Sequence, residues 1–256
     1  MSHFINKILG KTIGLNLMRT KPRKVDKVKG KPIYVEFVGI PGVGKSTLFD
    51  NVFKQVKSKW RNIHEFQKIF IQHVDGKAAE SVSCYQDLAI HKMQSVASSN
   101  FSGIDQMKIV RFFLSVIIED SLVSLFNKDY NVISDEGLIH NFGDGLLELC
   151  KNNKKEFDNL MKDRAVVYCK APAEIVANRI LGRTKETGKL LPQHKVKSFD
   201  KLVMLQKRSL KNKHQIIDLL YKYDIPVVSI DTSESINKNA DKVIDFLNTL
   251  SNNNVR

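Results

Sequence analysis

The fold of this chain is decided by residues 39–47, which read Gly39-Ile40-Pro41-Gly42-Val43-Gly44-Lys45-Ser46-Thr47. They match the pattern GxxxxGK[ST], with an apolar, strand-like run before them and an amphipathic, helix-like run after them. Glycines permit a tight loop whose backbone N–H groups turn toward phosphate oxygens, and the start of the helix adds its positive dipole end. All nine residues are therefore predicted to bind a nucleoside triphosphate, with Lys45 on the β and γ phosphates and Ser46 on Mg²⁺.

Apolar runs and helical patterns alternate along the rest of the chain. Five strands are predicted, at residues 33–38, 69–74, 131–134, 165–169 and 225–230. A long, largely buried helix is predicted at residues 107–126. Strands separated by helices favour parallel βαβ connections, so we expect an α/β chain of three layers, a P-loop NTPase fold around a five-stranded parallel sheet.

Positive charge is concentrated in two segments. The 256 residues carry 41 Lys and Arg against 27 Asp and Glu, a formal net charge of +14. Residues 1–31 hold nine of these cations and one acid, and residues 179–213 hold eleven cations and two acids. We expect a basic, amphipathic N-terminal extension and linker at 1–31, a domain at 32–250 with a lid region at about 179–197, and a tail at 251–256.

The cysteines and the hydropathy exclude several classes of protein. The three cysteines are far apart and form no CxxC pair, so neither a disulfide scaffold nor a zinc site is indicated. The most apolar stretch, at 112–118, is far shorter than the roughly 20 residues that a membrane-spanning helix requires. We expect a cytoplasmic protein.

The basic N-terminus leaves three interpretations open. Its apolar residues recur at helical spacing, with lysines beside them: Phe4, Ile5, Ile8, Leu9 and Ile13. This segment could lie on the anionic inner face of a membrane, pack on the domain as a helix, or form a frayed basic tail. Nucleic acid would also be attracted by the charge but is not favoured, because no base-reading motif is present.

Two acids follow the third predicted strand, in the stretch Val132-Ile133-Ser134-Asp135-Glu136-Gly137. Adjacent parallel strands end at the same edge of a sheet, so Asp135 is expected beside the phosphate loop, where it would hold Mg²⁺ together with Ser46. Glu136 would then act as a base or orient the nucleophile. The alternative for both is a solvated turn after a strand.

These motifs resemble the P-loop nucleoside and nucleotide kinases, and within them the thymidylate kinase-like group. The run from Ile33 to Val38 into the phosphate loop looks like that family's opening, and Arg111 matches an arginine on the long helix before its third strand. Asp135 matches its acidic residue, whereas Glu136 replaces an arginine that usually follows. The resemblance implies ATP and Mg²⁺ as cofactors. Arg111 either reaches into a pocket to meet an anionic acceptor or extends to the surface, and His140, three residues after Gly137, either lines the acceptor site or is a neutral loop histidine.

The resemblance extends toward the C-terminus. The run from Val166 to Pro172, followed by Arg179 and Arg183, looks like the family's fourth strand and lid, whose arginines close over the transferring phosphoryl group. Spaced four apart, these arginines share one helical face, and the alternative is a solvated basic surface. Asp231 lies in a stretch that resembles the loop bordering the adenine base.

The sequence thus supports an ATP- and Mg²⁺-dependent kinase for a small hydroxyl- or phosphate-bearing acceptor, most like a nucleoside or nucleoside monophosphate kinase. One alternative is a regulatory ATPase or switch that hydrolyses ATP. The other is a kinase for a larger anionic acceptor, such as a polynucleotide end or a membrane-linked glycan or lipid.

Overall fold

A computed structural model describes residues 25–28, 30–65, 83–127, 129–187 and 198–253. At its centre lies a five-stranded sheet, ordered β2-β3-β1-β4-β5, in which every pairing is parallel. The strands are β1 Tyr34–Val38, β2 Trp60–Asn62, β3 Asn131–Ser134, β4 Arg164–Lys170 and β5 Val227–Asp231. The predicted α/β fold with five parallel strands is confirmed.

Helices cover both faces of the sheet. The helices in the described residues are α1 Lys45–Val56, α2 Ser83–Ala97, α3 Gly103–Phe126, α4 Leu138–Asn141, α5 Gly143–Asn152, α6 Lys154–Met161, α7 Ala173–Thr187, α8 Phe199–Lys222 and α9 Ile236–Asn253. Alternate strand residues point to opposite faces. Val35 and Val167 pack with α1, α7 and α9, whereas Val38 and Val166 pack with α2 to α6 and the second half of α8.

The second strand differs from the prediction. The structure places β2 at Trp60–Asn62, where it pairs with β3 at the edge of the sheet. The predicted strand at 69–74 lies outside the described residues. Trp60 is buried in the core, in keeping with its aromatic character, and its side chain packs against the layer that contains α1.

The prediction that the long helix is largely buried is wrong. Helix α3 begins at Gly103, where the hydroxyl of Ser102 accepts a hydrogen bond from the backbone N–H of Asp105 at 3.2 Å. Large apolar side chains are nevertheless exposed on it, at 75% for Met107 and 69% for Ile104. The helix is apolar around most of its circumference, but only one side of it faces the core.

A buried polar network holds α2 and α3 to the sheet. The Arg164 guanidinium, at the start of β4, donates two hydrogen bonds to the Asp120 carboxylate on α3, at 2.8 and 2.6 Å. The hydroxyl of Tyr85 on α2 donates to the same carboxylate at 2.8 Å. Because Asp120 and Arg164 are both nearly inaccessible to solvent, each depends on the other for compensation of its charge.

The predicted segment boundaries shift slightly. Near the start of the described chain, the backbone N–H of Asp26 donates to Ser58 and that of Val28 to Asp129, so this part of the predicted linker contacts the domain. Helix α9 continues to Asn253, three residues into the predicted tail. The apolar stripe near the N-terminus and the second half of the predicted lid lie outside the described residues. Within the described part, no helix is long and apolar enough to cross a membrane.

Candidate active site

The phosphate loop joins the carboxyl end of β1 to the first residue of α1. Gly42 has a φ of +86°, in the left-handed region that favours glycine, and a Cβ there would lie 2.6 Å from Cγ1 of Ile180. The loop residues lining the cleft described below are Ile40, Pro41, Gly42, Gly44, Lys45, Ser46 and Thr47. Gly39 and Val43 lie beneath that surface, and Val43 is fully buried. A tight turn directly before a helix start is the geometry that presents N–H groups to phosphates.

Lys45 makes its ionic contact with Glu136. Its ammonium group donates a hydrogen bond to Oε1 of Glu136 at 2.9 Å and another to the backbone carbonyl oxygen of Asp135. Lys45 is only 6% exposed, whereas the Glu136 side chain is 34% exposed and faces the cleft. Of the two predicted acids, Glu136 therefore brings its carboxylate to the phosphate loop, while Asp135 contributes its carbonyl group.

Glu136 is held in place by the short helix α4. Its Oε2 accepts a hydrogen bond from Nδ2 of Asn141 at 3.3 Å and lies 3.3 Å from Nε2 of His140. The hydroxyl of Ser134 donates to the backbone carbonyl of Glu136 at 2.9 Å. Burial, together with the nearby ammonium groups of Lys213, Lys45 and Lys92, lowers the pKa of His140 well below its usual range. His140 is therefore neutral, lines the cleft and orients the Glu136 carboxylate.

A second carboxylate, that of Glu36, stabilises the turn that follows Glu136 by accepting hydrogen bonds from its backbone. It lies in the middle of β1, is 1% exposed, and accepts hydrogen bonds from the backbone N–H groups of Ile139, at 2.9 Å, and His140. Gly137 passes so close that a Cβ there would be 2.4 Å from Cδ of Glu36. Burial raises the pKa of Glu36 to about 7, although the two N–H donors act in the opposite direction.

Arg179 connects the phosphate loop to the segment after β5. Its guanidinium donates to the carbonyl of Val43 at 2.6 Å, to the hydroxyl of Thr232 at 3.1 Å and to the carbonyl of Thr232 at 2.7 Å. These bonds use three of the five N–H groups of a guanidinium and leave others for an anion. Arg183, one helical turn further along α7, is exposed and lines the same part of the cleft.

These elements enclose one long cleft of about 1300 Å³. One half, which we call the nucleotide half, lies between α7, the start of α9 and the phosphate loop, and is lined by Arg179, Arg183, Thr232, Glu234, Ile236 and Asn239. The other, which we call the acceptor half, lies against α2 and α3 and is lined by Lys92, Ser95, Val96, Ser99, Phe101, Asp105, Lys108, Ile109, Phe112 and Phe113. Lys45, Glu136, His140 and Asn141 lie where the halves meet.

Several predicted site residues are not brought to this cleft. Arg111 is exposed on α3 and is not among the described residues that line the cleft. The Asp231 carboxylate instead accepts hydrogen bonds from the backbone N–H of Ser233 at 2.9 Å and from its hydroxyl at 2.6 Å, which shapes the turn after β5. The side chain of Asp135 is half-buried beside the cleft and does not line it.

The residues present fit a magnesium ion that is bound mainly through phosphates and water. The hydroxyl of Ser46 is exposed in the cleft, and the Glu136 carboxylate reaches the same loop. Among the described residues, no group of three or more His, Cys, Asp or Glu side chains could hold a metal ion. Mg²⁺ usually keeps several waters and takes one or two carboxylates plus substrate phosphates, so a sparse protein ligand set is what it requires.

Sequence reasoning missed several residues of this site. Lys92 and Phe113 come from two different helices, and neither belongs to a motif. Glu36 reads as one polar residue inside a strand, and its position in a fully buried strand was the signal that it must have a partner. Thr232 and Asn141 follow residues that the sequence did single out.

Comparisons with known proteins give only remote similarity. No family model matches the chain, and no curated protein matches it. Among solved structures, a shikimate kinase from Bacteroides thetaiotaomicron is 12% identical, with 84% of this chain and 98% of that chain covered and a TM-score of 0.44.

Two further structures are similar to the same degree. A deoxyadenosine kinase from M. mycoides with bound dCTP is 14% identical, with coverage of 85% and 100% and a TM-score of 0.45. A gluconokinase from Sinorhizobium meliloti 1021 is 14% identical, with coverage of 88% and 97% and a TM-score of 0.42.

Proposed function

We propose that this chain is an ATP- and Mg²⁺-dependent phosphotransferase, a P-loop kinase that acts on a small hydroxyl- or phosphate-bearing acceptor. The supporting observation is the cleft, which continues past the phosphate loop into a second half lined by other elements. Its volume of about 1300 Å³ exceeds the roughly 300–1,000 Å³ that single-ligand pockets occupy. An enzyme that transfers phosphate from ATP to water has no need of that second half.

The side chains around the loop supply positive charge for a triphosphate. In the free protein, the anionic partner of Lys45 is Glu136, at 2.9 Å. Binding of a triphosphate exchanges that partner for phosphate oxygens, while Arg179 and Arg183 contribute two further cations from α7. Mg²⁺ would neutralise charge on the transferring phosphoryl group, and Ser46 with Glu136 would hold it.

Release from Lys45 leaves the Glu136 carboxylate between the two halves of the cleft. There it can accept a proton from an acceptor hydroxyl or help to hold Mg²⁺, and Asn141 and His140 keep it oriented for either role. The resemblance makes a nucleoside or nucleoside monophosphate acceptor the narrower proposal, whereas Glu136, which stands where the resembling family has an arginine, weakens the case for the monophosphate. These compounds form the first pools to test.

The test is transfer of the γ phosphate from labelled ATP in the presence of Mg²⁺. Reactions with water alone are compared with pools of nucleosides, nucleoside monophosphates, sugars, sugar phosphates and glycolipids. Lys45→Ala should reduce transfer by about 10²–10³-fold, because a preorganised donor to the transferring group is lost. Lys151→Ala, an exposed lysine on α5, is the matched control and should leave the rate unchanged.

Each outcome selects among the functions that the sequence left open. Labelled product from a pool of small molecules supports the proposal. Lys45-dependent release of phosphate into water, with no labelled acceptor, instead favours the regulatory ATPase or switch. Label on glycolipid or on polynucleotide ends favours the larger anionic acceptor, and full activity of Lys45→Ala would rule out the phosphate loop as the site.

A further inference from the structure

Among the described residues, the ammonium group of Lys92, in the acceptor half of the cleft, has no hydrogen-bonding partner. It stands 4.3 Å from the centre of the Phe113 ring and 5.8 Å from that of Phe142. Within the described part of the chain, it forms neither a hydrogen bond nor an ion pair. Ring faces stabilise a cation by about 0.5–2 kcal/mol, which is less than a hydrogen-bonded counter-ion provides in a partly buried site.

Lys92 lies near another ammonium group, that of Lys213, and near the carboxylate of Asp144. Lys45 from α1 and Lys213 from α8 act with Lys92 on the same histidine, His140, and all three lower its pKa. Lys213 is committed to the carbonyl oxygen of His140, and Lys45 to Glu136. Lys92 is therefore the ammonium group of the three that the described residues leave available to a ligand.

Burial has a measurable consequence for Lys92. It lowers the pKa of the ammonium group, and the carboxylate of Asp144 on α5 only partly offsets this effect. A ligand with a negative charge beside Lys92 would raise that pKa again. An anion bound beside Lys92 would therefore be stabilised by the ammonium group.

The side chains that line the cleft next to Lys92 indicate which chemical groups the rest of the ligand carries. Phe112, Phe113 and Ile109 on α3 form an apolar surface, and Ser95 on α2 and Ser99 just after it also line this half of the cleft. Such a lining suits a ligand with a compact apolar or ring-shaped part, and the serine hydroxyl groups can contact polar atoms of that ligand. Asp105 and Lys108 stand further along the cleft.

We propose that Lys92 is the anion-binding residue of the acceptor subsite and that the acceptor carries a phosphomonoester. This inference rests on the proposed function, since it concerns the second substrate of the same cleft. A phosphomonoester carries about −1.5 to −2 charges at neutral pH and three acceptor oxygens, which suits an ammonium group that has donors to spare. Neutral analogues of the same body would leave the half-buried cation uncompensated.

The first experiment measures the charge state of Lys92 directly and does not depend on turnover. The full chain carries labelled lysine and is saturated with a non-hydrolysable ATP analogue and Mg²⁺, so that the phosphate loop is occupied. Lys92→Met assigns the resonance, and the ammonium pKa is measured by NMR in inorganic phosphate and in chloride at equal ionic strength. We expect phosphate to raise the Lys92 pKa while leaving that of Lys151 unchanged. An identical pKa in both salts would overturn the proposal.

The second experiment offers acceptors in matched pairs, with and without the phosphomonoester. Transfer is expected only to the phosphorylated members, and Lys92→Met should raise the KM for them about 10- to 100-fold, the loss typical of a hydrogen bond to a charged group. The KM for ATP and most of kcat should persist, and Lys92→Arg should restore part of the affinity. Lys151→Met serves as the control variant.

The two experiments separate failure of the subsite from failure of the function. Transfer to neutral acceptors, with a KM that Lys92→Met does not change, would refute the subsite and leave the kinase proposal standing. A phosphate-dependent pKa of Lys92 without transfer to any acceptor would support an anion site and refute the proposed reaction.

Discussion

The two halves of the cleft are built in different ways. The nucleotide half begins with a nine-residue loop of backbone groups, and Arg179 fixes this loop by hydrogen bonds to Val43 and Thr232. The acceptor half is a surface of side chains on α2 and α3, two helices joined to the sheet by the buried contacts of Asp120 and Arg164. A loop that uses backbone N–H groups needs particular residue types at fixed spacing, whereas a surface of side chains can be assembled from any suitable helix positions.

This contrast explains why one half is recognisable and the other is not. Gly42 must be glycine because its φ of +86° and its contact with Ile180 exclude a side chain. No comparable constraint applies to Lys92, since many side chains can occupy a half-buried helix position that borders a cleft. The proposed binding of a triphosphate therefore rests on a local motif, whereas the proposed acceptor subsite rests on contacts between distant segments.

The largest effect is expected from breaking the support of the acceptor half. Asp120→Ala leaves the Arg164 guanidinium buried without its counter-ion, and loss of one partner of a buried pair costs about 3–5 kcal/mol. The free energy of unfolding, measured by urea denaturation, should fall by that amount. The double variant Asp120→Leu/Arg164→Met should recover much of it, because no buried charge then remains.

The outcome for Asp120→Ala also bears on the comparison of the two halves. If the variant retains a folded fraction, ATP binding should weaken less than acceptor turnover, because the network contacts α2 and α3 and not the phosphate loop. Equal losses in both activities would contradict the separation of the two halves.

A smaller but more informative effect is expected at the junction of the halves. Glu136→Gln removes the carboxylate that contacts Lys45 and should lower the rate of transfer about 10²-fold, in the range typical of a proton-transferring or metal-holding group. Asp135→Asn is the matched variant, because its contact with Lys45 is made by the backbone carbonyl. Its rate should fall less than tenfold. The reverse ranking in single-turnover assays would return the catalytic role to Asp135.

The smallest expected effect is a pH dependence of stability caused by Glu36, the buried carboxylate that supports the turn after Glu136. The native pKa of Glu36, about 7, lies above its ordinary value of 4.5, so the folded protein holds a proton that the unfolded chain has lost. Stability from this residue is therefore fully present below about pH 4.5 and is lost as the pH rises toward 7. The loss is roughly 1–3 kcal/mol, because a tenfold change in proton affinity corresponds to about 1.36 kcal/mol.

Glu36→Gln tests this dependence, because glutamine does not titrate. His140, whose pKa is lowered, contributes with the opposite sign over part of this range, and Lys213, whose pKa is lowered to about 8, titrates above it. The informative quantity is thus the difference between the two proteins in urea denaturation at pH 5, 6 and 7. The parent should lose more stability than Glu36→Gln over that interval, and parallel curves would assign the dependence to another group.

Much of the fold followed from the sequence. The third strand was predicted with its observed bounds, and the first and fourth within one residue of them, because buried parallel strands appear as short apolar runs between helical patterns. The second strand escaped prediction since Trp60–Asn62 is short, includes Arg61 and lies at the sheet edge. The burial of α3 was overestimated because composition reports how apolar a helix is and not which side of it meets the core.

The parts of the candidate site that are built from backbone groups were predicted better than the parts that depend on contacts between side chains. The GxxxxGK[ST] run forms a tight turn between β1 and α1, as predicted, and the acidic pair follows β3 at the carboxyl edge of the sheet. Which member of the pair turns toward Lys45 depends on the turn that Ser134, Gly137 and α4 impose, and no spacing rule contains that information. Arg111 fits the family pattern in sequence, yet the rotation of α3 leaves it exposed.

The sequence by itself determined the alternation of strands and helices, the position of the glycine-rich loop and the accumulation of positive charge. These properties are local, because they follow from residue type, periodicity and the conformational freedom of glycine. Only the tertiary structure decided that Glu36 supports the Glu136 turn, that Arg179 bridges two loops, and that Lys92 reaches the cleft with no hydrogen-bonding partner in the described part of the chain. Those relations join residues far apart in the chain, so they exist only once packing has fixed the distances and excluded the water.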